Sequence, residues 1–181
     1  MYVLGFDPGK TGAIVAVSPT GPLRIIRTPH MESKTGRGEE IQYALMWEQT
    51  KKMLAEIETP QHVFIERVQA MPKEGASSGF KFGYSAGFLR GLVTALGYRY
   101  DMIEPQAWKK THRIPHGADK KASIIRACEL WPKQVEELTP KRLHWDQTAC
   151  FGVCDAALIG YHGLILLNAF SAPVINDDMD F

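Results

Sequence analysis

The first seventeen residues, MYVLGFDPGKTGAIVAV, leave the chain few choices. An apolar run ends on one carboxylate, Asp7. Pro8, Gly9, Lys10, Thr11 and Gly12 follow, and then a second apolar run begins. Two such runs around a Pro/Gly turn predict a strand, a tight turn and an antiparallel return strand. The glycines permit a steep turn, and Pro8 withholds a backbone donor beside the acid. Asp7 is thereby placed at a rigid strand end, where a carboxylate suits a metal ion. A DxGxTG-like loop also serves sugar kinases and actin-like ATPases as a phosphate cradle, and an ordinary hairpin with an acidic turn is the third reading.

Further along, residues 22–28 (PLRIIRT) predict a third strand that completes an antiparallel meander. Residues 31–39 are polar and read as a loop. From Glu40 the spacing of Ile41, Leu45, Met46, Met53, Leu54 and Ile57 predicts a helix, which Pro60 closes. Residues 62–66 (HVFIE) form a second apolar run that ends on a carboxylate. A buried strand after a helix fits a parallel crossover, in which functional groups gather at strand carboxyl ends. This predicts Asp7 and Glu66 side by side on neighbouring strands.

Residues 67–82 read as a long loop of small residues, with Lys73 and Lys81 suited to approach a phosphate backbone. Residues 84–96 (YSAGFLRGLVTAL) are apolar all round, with glycines at 87 and 91, and predict a buried or interface helix. Residues 99–103 supply a further strand and residues 122–131 a helix. Residues 152–167 read as a long apolar helix with Asp155 near its start, and residues 171–181 as an acidic tail.

With 45% hydrophobic residues among 181, the chain can bury one full core, expected over residues 1–170. The longest apolar stretch, residues 156–170, is interrupted by Gly160, His162 and Gly163, and neither a membrane span nor a signal peptide is predicted. Three cysteines, Cys128, Cys150 and Cys154, make no disulfide framework, so a reducing cytoplasm is the expected home. Cys150 and Cys154 read as small core residues, since only His144 lies near enough to complete a zinc site. Charge is unevenly spread: residues 67–126 carry 11 Lys/Arg against 4 Asp/Glu, whereas residues 127–181 carry 3 against 8. A basic middle with acidic flanks fits a protein that meets a polyanion on one surface and concentrates carboxylates elsewhere. A solvated charged face is the plainer reading.

Two acids at strand ends and a third within an apolar helix form a constellation. A buried carboxylate is costly unless it is paired or bound to a cation. Two Mg²⁺ ions about 4 Å apart, held by carboxylates, are a standard arrangement for phosphodiester cleavage, and Mg²⁺ needs few protein ligands because it keeps waters. Taken singly, Asp7 reads equally well as capping its turn, Glu66 as pairing with Arg67 or a lysine, and Asp155 as capping its helix.

The residues also carry a family resemblance. GFDPGKTGAI at 5–14, FIERV at 64–68, GYSAGFLRGLV at 83–93, the basic segment from WKK to DKK at 108–121, and CDAALIGYHG at 154–163 together resemble RuvC-type Holliday junction resolvases. The order and spacing run over roughly residues 3–165, and local wording is nearer to phage-borne members. The resemblance implies an α/β, RNase H-like fold: a five-stranded mixed sheet, three strands antiparallel and two parallel, flanked by helices. It implies a homodimer that cuts opposed strands of four-way branched DNA, uses Mg²⁺ with Mn²⁺ able to substitute, and needs no nucleotide cofactor and no membrane. Asp7, Glu66 and Asp155 match the family's metal ligands, and Lys109 and Lys120 match two of its basic residues at the same separation. Lys120 is assigned to the scissile phosphate as a point charge. Lys109, with Lys73, Lys81, Lys110, Arg113 and Lys121, is assigned to the DNA backbone.

Two positions depart from the family. Its fourth metal ligand stands one turn before the last-helix Asp, where this chain has Phe151 and Gly152. Asp146 or His144 would have to substitute from a preceding loop, because on a continuous helix Asp146 falls opposite Asp155. The aromatic that wedges into the junction just after the strand-end Glu is replaced by Gln69. Met71 or Phe80 would serve instead, or simply pack the loop. Trp108 reads as an anchor for its own segment.

Overall fold

A computed structural model of the chain describes residues 2–32, 39–57, 59–69, 75–140 and 147–171. The opening stretch folds as its pattern predicts, with β1 (Val3–Asp7) returning through a tight turn as β2 (Ala13–Ser18), followed by β3 (Gly21–Arg27). Two further strands, β6 (Val63–Glu66) and β7 (Tyr100–Ile103), extend this meander on its other side. The sheet order is β3-β2-β1-β6-β7. The first three strands are antiparallel, and β6 and β7 each run parallel to their inner neighbour.

Helices cover both faces. On one side lie α1 (Tyr43–Glu56), whose buried Met46, Thr50 and Met53 recur at helical spacing, and α2 (Ala76–Ala95), which buries Ala86, Leu89, Leu92 and Val93. On the other lie α3 (Pro105–Thr111), α4 (Lys121–Leu130), α5 (Val135–Leu138) and the long α6 (Gln147–Ser171). Alternation along each strand sends side chains to opposite layers. Leu4, Phe6, Val63 and Ile65 join the α1/α2 core, whereas Val3 and Phe64 join the α6 core with Trp108, Leu158 and Leu164. Each large side chain so buried contributes about 1.5–3 kcal/mol.

The α6 helix lies almost against the sheet. A Cβ on Gly5 would collide with the Ala156 carbonyl oxygen and stand 2.9 Å from Gly160 Cα, so the crossing needs glycine on both elements. Cys150–Asn168 is apolar and long enough to cross a membrane, with a mean hydropathy of 1.7, yet 67% of that window is buried inside the protein, where it forms the core helix.

Three stretches of the sequence reading fold differently. Residues flanking the expected loop at 31–39 pair as a small hairpin, β4 (His30–Glu32) with β5 (Glu39–Ile41), and α1 starts only at Tyr43. Ile41, counted as helical, is a strand residue, because a three-residue strand is too short for alternation to show. The loop expected over 67–82 ends early: α2 begins at Ala76. Its first turns (ASSGF) have weak helix propensity and are carried by the packing of the turns that follow. The last helix starts at Gln147, so Asp155 is in its third turn rather than near its start.

Candidate active site

Asp7 is the last residue of β1 and Glu66 the last of β6. Leu4, Gly5 and Phe6 stand opposite Val63, Phe64 and Ile65 in parallel register, and one step further along both strands brings Asp7 beside Glu66. By the same alternation Asp7 shares a face with Val3 and Gly5, and Glu66 with Phe64. That is the α6 face. Asp155 lies on α6 one residue before Ala156, which touches Gly5. Three carboxylates from distant parts of the chain therefore converge, and capping no longer accounts for Asp155. Pairing with Arg67 does not account for Glu66 either, since Arg67 Nε is 3.1 Å from Glu104 Oε1.

Their electrostatics are those of crowded acids. Burial pushes Asp7 well above the ordinary carboxylate range, and the charges of Asp155 and then Glu66 push it further, against the pull of Lys109. Burial also raises Glu66, opposed by the hydrogen bond from Trp108 and by Lys109. Asp155 is pushed up to about 6, chiefly by burial and by Glu66, while a hydrogen bond from Ser123 and the charges of Lys109 and Lys120 oppose the rise. Its Oδ1 is buried with no hydrogen-bond partner among the described residues. An unsatisfied carboxylate oxygen beside two other acids has the chemistry to accept a hard cation. Among the described residues no three His, Cys, Asp or Glu side chains are gathered closely enough to enclose an ion unaided. A divalent cation at this point would have to complete its shell with water, as Mg²⁺ does.

Asp7, Asp155, Lys109, Lys120, Ser123 and Gly152 share the wall of one cleft of about 410 Å³. Glu66 is not part of that wall; its Oε1 accepts a hydrogen bond of 2.9 Å from Trp108 Nε1–H. Lys109, half-buried on α3, lies 5.2 Å from the Trp108 ring centroid, and Lys120 is exposed just ahead of α4. Lys110, Arg113 and Lys121 are exposed and each is next in sequence to a residue of that wall, Lys109, Ile114 and Lys120, with Arg113 at φ 58° in the turn after α3. Lys81 is exposed on α2 and faces a different cavity, of about 640 Å³, with Lys10, Tyr43, Phe80 and Tyr84. That cavity is larger and holds no carboxylate cluster, so chemistry rather than size identifies the candidate site. Lys73, Met71, His144 and Asp146 lie outside the described residues. Gln69 Nε2 donates to Glu104 Oε2 at 3.3 Å. Phe80 is 75% exposed and stacks beside Tyr84, so it does not serve as packing for the loop.

Two amides of the first turn that a phosphate cradle would use are committed elsewhere. Gly9 N–H donates to Ser85 Oγ at 3.1 Å and Gly12 N–H to the Gly9 carbonyl at 3.2 Å, so both amides are used internally. The same turn explains the absent fourth ligand. A Cβ on Gly152 would collide with the Thr11 carbonyl oxygen and lie 2.7 Å from Gly12 Cα, which leaves no room for a coordinating side chain. Sequence reasoning missed Trp108 and Ser123 as supports of the acids. A tryptophan next to Lys109 was the only hint, and a lone serine carries none.

No family model matches the chain, and no curated protein matches it in sequence. Solved structures do match in fold. One is described as Thermus thermophilus RuvC in complex with Holliday junction substrate. It superposes with a TM-score of 0.63 at 16% identity, over 93% of this chain and 96% of that one. Another, described as a Thermus thermophilus RuvC structure, gives a TM-score of 0.59 at 19% identity, over 94% and 97%. The chain therefore has the RuvC-like, RNase H-type fold, with the five-stranded mixed sheet expected of it.

Proposed function

We propose that this protein is a metal-dependent, structure-selective endodeoxyribonuclease that resolves Holliday junctions by paired symmetric cuts. The observation that carries the reading is the convergence of Asp7, Glu66 and Asp155 on one face of a RuvC-like sheet, with Asp155 Oδ1 buried and unsatisfied. These three side chains would hold Mg²⁺, or Mn²⁺ in its place, and two ions per site suit the chemistry. When bound, such cations lower the pKa of water and take up charge on the phosphodiester oxygens. Lys120 sets a point charge at the cleft mouth for the scissile phosphate. Lys109, braced on Trp108, reduces the mutual repulsion of the acids. Products carry 5′-phosphate and 3′-hydroxyl ends.

Exposed Lys110, Arg113 and Lys121 bind the DNA backbone, Lys81 and Lys73 are assigned to the same role, and selectivity comes from the shape and deformability of the junction. Phe80, exposed on α2, would be the side chain that enters an opened base step. The exposed side of α2, where Gly83, Gly87 and Gly91 leave open space, is assigned to the homodimer contact. Residues 1–170 act as one nuclease domain in the cytoplasm, followed by the acidic tail. The packing of Gly152 against Thr11 favours a second reading, a branched-DNA binder without catalysis.

A supercoiled plasmid that extrudes a cruciform distinguishes these readings. Coordinated cutting by a homodimer converts it directly to linear DNA in Mg²⁺. Accumulation of nicked circles alone would refute paired cutting, and intact plasmid with junction binding retained would favour the binder.

A further inference from the structure

Trp108 is fully buried, with 0% of its surface exposed, although it sits between Ala107 and the half-buried Lys109 on a seven-residue helix. Two of its contacts lead into the acid cluster. The indole edge donates to Glu66 Oε1 at 2.9 Å, and the ring lies 5.2 Å from Lys109 Nζ. Around it, His112 Nε2 is 2.8 Å from the Leu158 carbonyl oxygen and Thr111 Oγ1 is 2.8 Å from His162 Nδ1, so α3 is pinned to α6 on the turn that follows Trp108. The helix that carries the indole is thus fixed against α6, and a fixed donor fixes its acceptor, Glu66 at the end of β6.

We propose that Trp108 is a positioning residue for the nuclease centre: its N–H holds one oxygen of Glu66 so that the other is presented to the divalent cation, and its ring holds Lys109 over the cluster. The assignment rests on the nuclease reading of the site. An indole N–H is a donor only, with no acceptor capacity and no charge to compete for the ion, so it orients a carboxylate without neutralising it. A neighbouring lysine in that place would form an ion pair with Glu66 and oppose cation binding. Partners of this kind, hydrogen-bonded to ligating carboxylates, typically change metal affinity by about 10–100-fold when removed.

The test uses the full chain and Mn²⁺ alone, read by the free-ion paramagnetic resonance signal, with no DNA and no turnover. Two replacements remove the donor: Trp108→Phe, and substitution of Trp108 by β-(3-benzothienyl)alanine, which keeps the bicyclic shape and loses only the N–H. Both are expected to weaken Mn²⁺ binding by roughly 10-fold or more and to leave metal-free junction binding unchanged; the benzothienyl variant keeps the melting temperature in EDTA near that of wild type, whereas Trp108→Phe lowers it by leaving part of the buried indole space empty. In the cleavage assay the half-saturating Mn²⁺ concentration rises, and the rate recovers at saturating Mn²⁺. Wild-type Mn²⁺ affinity in the benzothienyl variant overturns the assignment while leaving the nuclease reading intact. Loss of the folded state in both variants also overturns it, because the indole would then be structural. If wild type itself neither binds Mn²⁺ nor cuts junctions, the nuclease reading falls and this assignment with it.

Discussion

Replacing Asp155 by asparagine should make the metal-free protein more stable while destroying its activity. In the folded state the carboxyl is pushed from 3.8 up to about 6, first by burial and then by Glu66. The folded state therefore binds this proton more tightly than the unfolded state. The associated stability is present below about pH 4, is lost as the pH rises toward 6, and leaves a constant penalty above that. A rise of roughly two units at about 1.4 kcal/mol each puts the penalty near 3 kcal/mol at neutral pH. Asparagine has nearly the same shape, can still accept from Ser123, and carries no charge. In EDTA at pH 7.5, Asp155→Asn is expected to gain about 3 kcal/mol in urea unfolding, or roughly 6–12 °C in melting temperature for a chain of this size. At pH 4 the two proteins should unfold together. Saturating Mg²⁺ should stabilise wild type and leave the variant unchanged, since only a folded state that binds the ion gains from it. An asparagine variant less stable than wild type in EDTA at pH 7.5 would refute the reasoning, because the carboxylate would then be favourably paired.

Gly152→Asp, which places an acid where the family carries its fourth ligand, should cost about 3 kcal/mol or more in stability and add no metal affinity, because the Thr11 and Gly12 backbone occupies the space. Calorimetry with and without Mg²⁺ checks both halves. His112 is held neutral, pushed down to about 4 by burial, so the stability it contributes is present above about pH 6.5 and lost as the pH falls toward 4. His112→Gln should flatten the acid limb of the stability profile over that interval. Alanine at Lys110, Arg113 or Lys121 should weaken junction binding and reduce its salt slope by about one per residue removed, with linear duplex as the comparison.

The central strands were legible because their patterns are local. VLGFD and VFIE are short, apolar and end on acids, and the Pro/Gly turn sets the return strand, so the pattern alone predicts Asp7 and Glu66 on neighbouring strands. The β4/β5 hairpin was not legible, since strands of three residues, HME and EEI, are too short to carry alternation. The start of α2 was hidden by serines and glycines whose intrinsic preference runs against the helix they form. Gly152 looked like a missing ligand, but its meaning depends on a turn 140 residues away in sequence that presses against it. Trp108 and Ser123 act through hydrogen bonds to acids on other elements, and such pairings have no periodicity to read. Asp155 joined the two strand-end acids because a carboxylate within an apolar helix is costly unless paired or bound to a cation, and the resemblance across ordered motifs added the match of all three to metal ligands.

The most direct measurement is cleavage of a labelled synthetic four-way junction in Mg²⁺ by wild type, Asp7→Asn, Glu66→Gln and Asp155→Asn in parallel, with linear duplex as control. The account predicts paired, symmetric nicks on the junction alone, abolished in all three variants while each still binds the junction. Undiminished cleavage in any one of the variants, or tight binding without cleavage by wild type in both Mg²⁺ and Mn²⁺, would contradict it.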